Sequence, residues 1–154
     1  MTETDLHLNR RSLLALSSGA VMIAVTPLIS FAAQADLERA QQELFGDIGV
    51  TEGRVTVKLP PIAENGYSVP LSVEIDSPMT DTDYVKRVVI LSPRNPLPLI
   101  AQYNFTPRSG RARIDARIRM SGTQAIQAIA EMNDGTLWSG SQETVVTLAA
   151  CVIL

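Results

Sequence analysis

The chain has 154 residues, 45% of them hydrophobic and 19% charged, which suits one globular domain and argues against wholesale disorder. Thirteen basic against sixteen acidic side chains leave a net charge of −3, too small and too mixed for a nucleic-acid partner. A single cysteine excludes an internal disulfide, and no set of residues stands at structural zinc spacing.

The first 35 residues read as an export signal. Arg10-Arg11 directly precede a mildly apolar run from Leu13 to Phe31, broken by Ser17, Ser18, Gly19, Thr26 and Pro27. Ala33-Gln34-Ala35 then supplies the small residues that a signal peptidase accepts. The pattern is that of a twin-arginine signal, with a mature start near Asp36 and a bacterial periplasmic destination. That route carries proteins already folded or assembled, so export together with a bound partner is expected. A retained membrane anchor is the rival reading, disfavoured by Pro27, the serines and the cleavage site.

Residues 36–53 are expected to form a short helix and a linker. Leu37, Ala40 and Leu44 share one helical face and Gly46 offers a stop. About three turns cannot stand alone in water, so this face must be covered. Residues 54–148 then change to a period of two. Strands are predicted around Val55–Leu59, Val69–Ile75, Tyr84–Leu91, Ile100–Phe105, Arg111–Arg119, Gln124–Met132 and Leu137–Leu148. Pro60-Pro61, Glu64-Asn65-Gly66-Tyr67, the proline-rich Ser92–Pro98, Thr106–Gly110 and Asn133-Asp134-Gly135 separate them. The Asn65-Gly66 pair is expected to use a positive φ. Tyr84–Leu91 is nearly continuous in apolar residues, as a central strand would be. Seven strands with no helix between them predict an all-β fold, an immunoglobulin-like antiparallel β-sandwich with a short N-terminal helix.

Few residues offer chemistry. His7, the only histidine, falls within the expected signal, so a histidine-based triad or metal site is excluded from the mature chain. Asp81 with Asp83, and Glu131 with Asp134, read as loop and turn carboxylates; Tyr103 and Trp138 read as core or rim aromatics. Arg111, Arg113, Arg117 and Arg119 alternate with apolar residues and so line one strip, with Arg108 nearby. The strip is either an anion site or a solvated face that discourages edge pairing. No catalytic, cofactor-binding or metal-ligating set emerges. Cys151, three residues before the last, is the one group with covalent chemistry to offer; an accessible lone thiol in an oxidising compartment is a liability that needs a reason. Cys151-Val152-Ile153-Leu154 also fits a prenylation pattern, which is a eukaryotic cytosolic modification at odds with bacterial export.

A family resemblance runs through the mature chain in order. Its landmarks are Pro61-Ile62-Ala63-Glu64-Asn65-Gly66, Val69-Pro70, Asp76-Ser77-Pro78-Met79-Thr80, Tyr84-Val85-Lys86, Asn95-Pro96, Phe105-Thr106-Pro107 and Ser109-Gly110-Arg111-Ala112. Arg117-Ile118-Arg119, Thr123-Gln124, Ala130-Glu131-Met132, Asp134-Gly135 and Trp138 complete them. In this order the chain resembles the SoxY family, the sulfur carriers of bacterial thiosulfate oxidation.

The resemblance implies a carrier rather than an enzyme, paired with a SoxZ-like β-sandwich subunit in a heterodimer. Thiosulfate would be joined oxidatively to Cys151 by a SoxAX-like haem enzyme. A SoxB-like hydrolase would release sulfate, and a sulfur dehydrogenase-like partner would oxidise the remaining sulfur. No cofactor and, after signal removal, no membrane is implied for the chain itself. The family's arm ends in Gly-Gly-Cys-Gly-Gly, whereas residues 149–154 read Ala-Ala-Cys-Val-Ile-Leu. Alanine and β-branched residues narrow the backbone range that glycine leaves open. The alternative is therefore a paralogue that keeps the fold and the partner as a binding module without carrier activity. An enzyme using Cys151 as nucleophile would lack a histidine base.

Overall fold

The computed structural model describes the backbone of residues 28–150, with side chains from Ala35 onward. The arginine pair, most of the apolar run behind it and Cys151 lie outside the described residues. Helix α1 spans Leu28–Phe45 and is followed by nine strands: β1 Val50–Glu52, β2 Val55–Lys58, β3 Ile62–Ala63, β4 Val69–Ile75, β5 Val85–Leu91, β6 Leu99–Asn104, β7 Arg113–Ile118, β8 Gln124–Met132 and β9 Leu137–Val146. All seven expected strands are present, and β8 keeps its expected ends. The helix begins eight residues before Asp36 and runs through Ala33-Gln34-Ala35.

Two sheets face each other. One runs β1-β9-β8-β5-β6, with β3 also on β9; the other runs β2-β4-β7. The β9–β8–β5–β6 and β2–β4–β7 pairings are antiparallel, while β1 and β3 join β9 in parallel. Alternation does the sorting. In β4, Val69, Leu71, Val73 and Ile75 face inward, and in β7 Ile114 and Ile118 meet them with Ala112. Val88 and Ile90 of β5 and Ile126, Ala128 and Ala130 of β8 close this core from the other sheet.

β5 is apolar on both sides because both of its faces are covered. Val89 and Leu91 point away from the sandwich core and, with Ile129 and Leu137, lie under Leu37 and Phe45 of α1. The helix thus finds the surface that its length demanded. Its last turn is fastened by Arg87, whose guanidinium bonds the Glu131 carboxylate at 2.6 and 2.8 Å and the Leu44 carbonyl at 3.3 Å. The same guanidinium lies 4.6 Å from the Phe45 ring centroid, and a cation at a helix C-terminus opposes the dipole favourably. Glu131, read from sequence as a turn residue, is instead a half-covered strand residue held by Lys86 and Arg87. A strand carboxylate beside a turn looks the same in sequence, because its cationic partners lie some 45 residues away.

The arginine strip stands on β7, which pairs only with β4 among the described residues. Two of its members are satisfied locally. Arg113 bonds Asp115, which also accepts from Ser72, and Arg117 donates to the Ser68 hydroxyl and carbonyl. This arrangement matches a charged, solvated edge that resists pairing with another sheet.

Burial pushes the Glu131 pKa up, but hydrogen bonds and charge from Lys86 and Arg87 outweigh it and hold the group below its ordinary value of 4.5. A depressed carboxylate contributes stability above that ordinary value and loses it as pH falls through the folded-state pKa. Glu131→Gln is therefore expected to be less stable near neutrality and to show a shallower loss of stability below about pH 4.5, read by denaturant melts across pH. Equal slopes would contradict the ion-pair account.

Candidate functional site

The segment that leads to Cys151 is held by backbone, not by side-chain charge. β9 continues beyond Val146 as a hydrogen-bonded run. Val145 donates to the Pro61 carbonyl at 3.1 Å and Thr147 to Ala63 at 3.1 Å, while the Thr147 hydroxyl donates to Glu64 at 2.7 Å. Gly66 N–H then donates to the Leu148 carbonyl at 2.7 Å, Met120 N–H to Gly66 at 2.8 Å, and Ala150 N–H to the Met120 carbonyl at 3.0 Å. Ala150 is 4% exposed. The chain is thus pinned flush with the protein up to the residue that precedes the cysteine.

Gly66 is the tightest point of this clamp, and for a reason other than the one expected. Its φ is not positive. A Cβ there would overlap the Met120 carbonyl oxygen and crowd the Ala150 nitrogen and the Val146 side chain. What the position needs is empty space, so that three segments can meet. Asn65 makes the turn beside it, its side-chain oxygen accepting from Tyr67 N–H at 2.8 Å.

Met120 itself is fixed by a polar network between two loops. The Gln124 side chain, 4% exposed, accepts from the Ser92 hydroxyl at 2.7 Å and from Arg94 N–H at 2.9 Å. Its amide donates to Asn95, which also receives Ser121 N–H and donates to the Arg119 carbonyl. The loop on either side of Met120 is therefore held, and its carbonyl is presented to Ala150. Thr123 adds a hydroxyl that accepts from Val146 N–H at 3.0 Å. Buried networks with every member satisfied give a position rigidity that apolar packing alone does not.

Of the residues singled out from sequence, the structure brings none beside another in a catalytic arrangement. Cys151 lies outside the described residues, and the arginine strip, Asp81, Asp83, Asp134, Tyr103 and Trp138 belong to edges, turns and rims. Trp138 packs on Gly53 and lies 5.6 Å from the Arg54 guanidinium, and Asp134 caps its own turn at Thr136. Met120, Thr123, Asn95 and Gln124 were not assigned this role from sequence. A carbonyl that holds another chain segment leaves no side-chain signature. Among the described residues, no group of three or more His, Cys, Asp or Glu could hold a metal ion. No described helix is long and apolar enough to cross a membrane.

The clamp is built from segments that also carry the family resemblance, Pro61–Gly66, Asn95 and Thr123-Gln124. The family model of the sulfur oxidation protein SoxY matches residues 41–151. The chain belongs to the SoxY family. A search of curated proteins finds no match. Among solved structures, the sulfur carrier protein SoxY from Chlorobium limicola f thiosulfatophilum is 28% identical, with a TM-score of 0.64 over 75% of this chain and 99% of that one. The superoxide reductase (neelaredoxin) from Ignicoccus hospitalis is similar at 15% identity and a TM-score of 0.53, over 61% of this chain and 80% of that one. The superoxide reductase from Nanoarchaeum equitans reaches a TM-score of 0.50 at 12% identity, over 62% of this chain and 99% of that one. These two likenesses concern the fold alone. The immunoglobulin-like sandwich of the SoxY family is thus the architecture on which the clamp is mounted.

Gly66→Ala is expected to cost about 1–3 kcal/mol of unfolding free energy, because the added methyl must displace backbone. It should also speed amide exchange at Ala150 more than at Ile129. Protection at Ala150 equal to that of the native chain would contradict the clamp.

Proposed function

We propose that the chain is a periplasmic sulfur carrier, exported by the twin-arginine route and paired with a SoxZ-like subunit, with sulfur intermediates held covalently on Cys151. The observation that carries this reading is the extent of the family match, which runs through the clamp and ends on Cys151 itself. Placement supports it as well. Cys151 follows directly on the hydrogen-bonded Ala150, and an intermediate tethered there would meet successive enzymes without diffusing away.

The chemistry asked of the chain is small. In loading, a bond forms between the Cys151 sulfur and the terminal sulfur of thiosulfate, the thiol loses its proton, and two electrons pass to the haem enzyme. Water then cleaves the sulfur–sulfonate bond, releasing sulfate and two protons and leaving a persulfide anion on Cys151. The protein contributes attachment and presentation, and partner enzymes contribute catalysis, so the chain acts as a substrate carrier and not as an enzyme.

A second reading has one observation in its favour. Ala149-Ala150 stand where the family has glycines, and Ala150 is buried and hydrogen-bonded. A paralogue serving only as a binding module would tolerate such a tail.

Incubation of the purified complex with thiosulfate and its haem enzyme should add covalent sulfur to the Cys151 peptide, read by intact and peptide mass spectrometry, and Cys151→Ser should gain nothing. Loading only after glycine replaces Ala149, Ala150, Val152 and Ile153 would establish the binding-module reading instead.

A further inference from the structure

Asn65-Gly66 serves the clamp as a turn and a close approach, and the pair also carries reactivity of its own. An asparagine followed by glycine is the sequence most open to deamidation, because no Cβ on the next residue shields its nitrogen. Asn65 is the one asparagine of the chain that precedes a glycine. It is exposed, so water and hydroxide reach it. Its side-chain oxygen accepts from Tyr67 N–H at 2.8 Å. That bond polarises the amide carbon and favours the oxyanion formed when a nucleophile adds to it. The electrophile is prepared.

The nucleophile is held back. It has to be the Gly66 nitrogen, whose proton is committed to the Leu148 carbonyl at 2.7 Å, while the Gly66 carbonyl accepts from Met120 N–H at 2.8 Å. Gly66 is buried, with the Met120 carbonyl oxygen where its Cβ would be. A residue held on both sides cannot swing its nitrogen onto the neighbouring side chain. We propose that Asn65-Gly66 is a covalent modification site, deamidated through a succinimide, and that closure of the clamp gates the reaction. When the Gly66–Leu148 bond opens, the Gly66 nitrogen loses its proton and attacks the Asn65 amide carbon, and ammonia leaves. Water then opens the ring at either carbonyl, giving aspartate or isoaspartate at position 65. The balance is one water taken up and one ammonia released, with no oxidant or reductant. Isoaspartate lengthens the main chain by a methylene directly before Gly66, so that Gly66 no longer spans Leu148 and Met120. The site is thus an irreversible switch from a pinned to a loosened Ala150, whatever Cys151 carries.

Ageing the folded chain at mildly alkaline pH tests this, with peptide mass spectrometry following the Asn65 peptide and isoaspartyl methyltransferase counting isoaspartate. Native Asn65 is expected to deamidate at least about tenfold more slowly than in the urea-unfolded chain, since a backbone bond must open first. Thr147→Val removes the exposed hydroxyl that bonds Glu64 but keeps the Thr147 N–H, and should speed the reaction about fivefold. Thr56→Val, at an exposed position on β2, should leave the rate unchanged. Protection of Asn65 from deamidation and of the Gly66 amide from hydrogen exchange should agree within about threefold, because both wait on one bond. In the separated isoaspartate form, Ala150 amide exchange should be about tenfold faster than in the native chain. Deamidation of the native chain at the unfolded rate would overturn the gate, and none in the unfolded chain would overturn the site. Native exchange at Ala150 in the isoaspartate form would overturn the switch.

Discussion

The backbone ladder along β9 and its continuation to Ala150 is the constraint on which the rest depends. One strand pairs with β8 along its length, with β1 near its start and with β3 near its end. Each pairing satisfies donors and acceptors that would otherwise be buried unmet or left as an open edge. The parallel pair with β3 brings Pro61–Gly66 alongside the end of the chain, and Gly66 then joins that end to Met120. Sheet order, the absence of a side chain at Gly66 and the Ser92–Asn95–Gln124 network all converge on the position of one alanine.

Rigidity at that alanine gives the proposed carrier a different character from a freely swinging arm. Glycine-rich arms spend conformational entropy when they enter a site, whereas backbone held as far as Ala150 has already lost it. The exchange is reach for presentation. The same sandwich shape recurs in superoxide reductases at low identity. Such a fold identifies a scaffold, and function has to be argued from what is attached to it.

The sandwich was legible because its strands carry their own periodicity. Val69–Ile75 and Ala112–Ile118 alternate cleanly, and Gln124–Met132 is bounded by turns. β1 and β3 were not legible, being three and two residues long and defined by what they pair with. As a result the stretch before residue 54, expected as linker, contains a strand paired to Leu137–Ser139. The double-sided burial of β5 could be seen as an apolar run, but only the helix above it explains why Val89 and Leu91 are apolar. The proposed attachment residue stood out by being the sole cysteine, while the clamp that leads up to it did not. Its bonds run through the carbonyls of Pro61, Ala63, Gly66 and Met120, and a carbonyl is common to every residue type. The glycine at position 66 was visible, but its purpose was misread, since a turn glycine and a close-approach glycine look alike in sequence.

The central claim is that Cys151 carries sulfur in the working cell. Protein isolated under thiol-blocking conditions from cells oxidising thiosulfate can be digested and the Cys151 peptide weighed. The account predicts a population bearing one added sulfur or a thiosulfate-derived sulfonate on Cys151, absent from cells grown without reduced sulfur. A Cys151 peptide found only as the blocked free thiol under both conditions would contradict it.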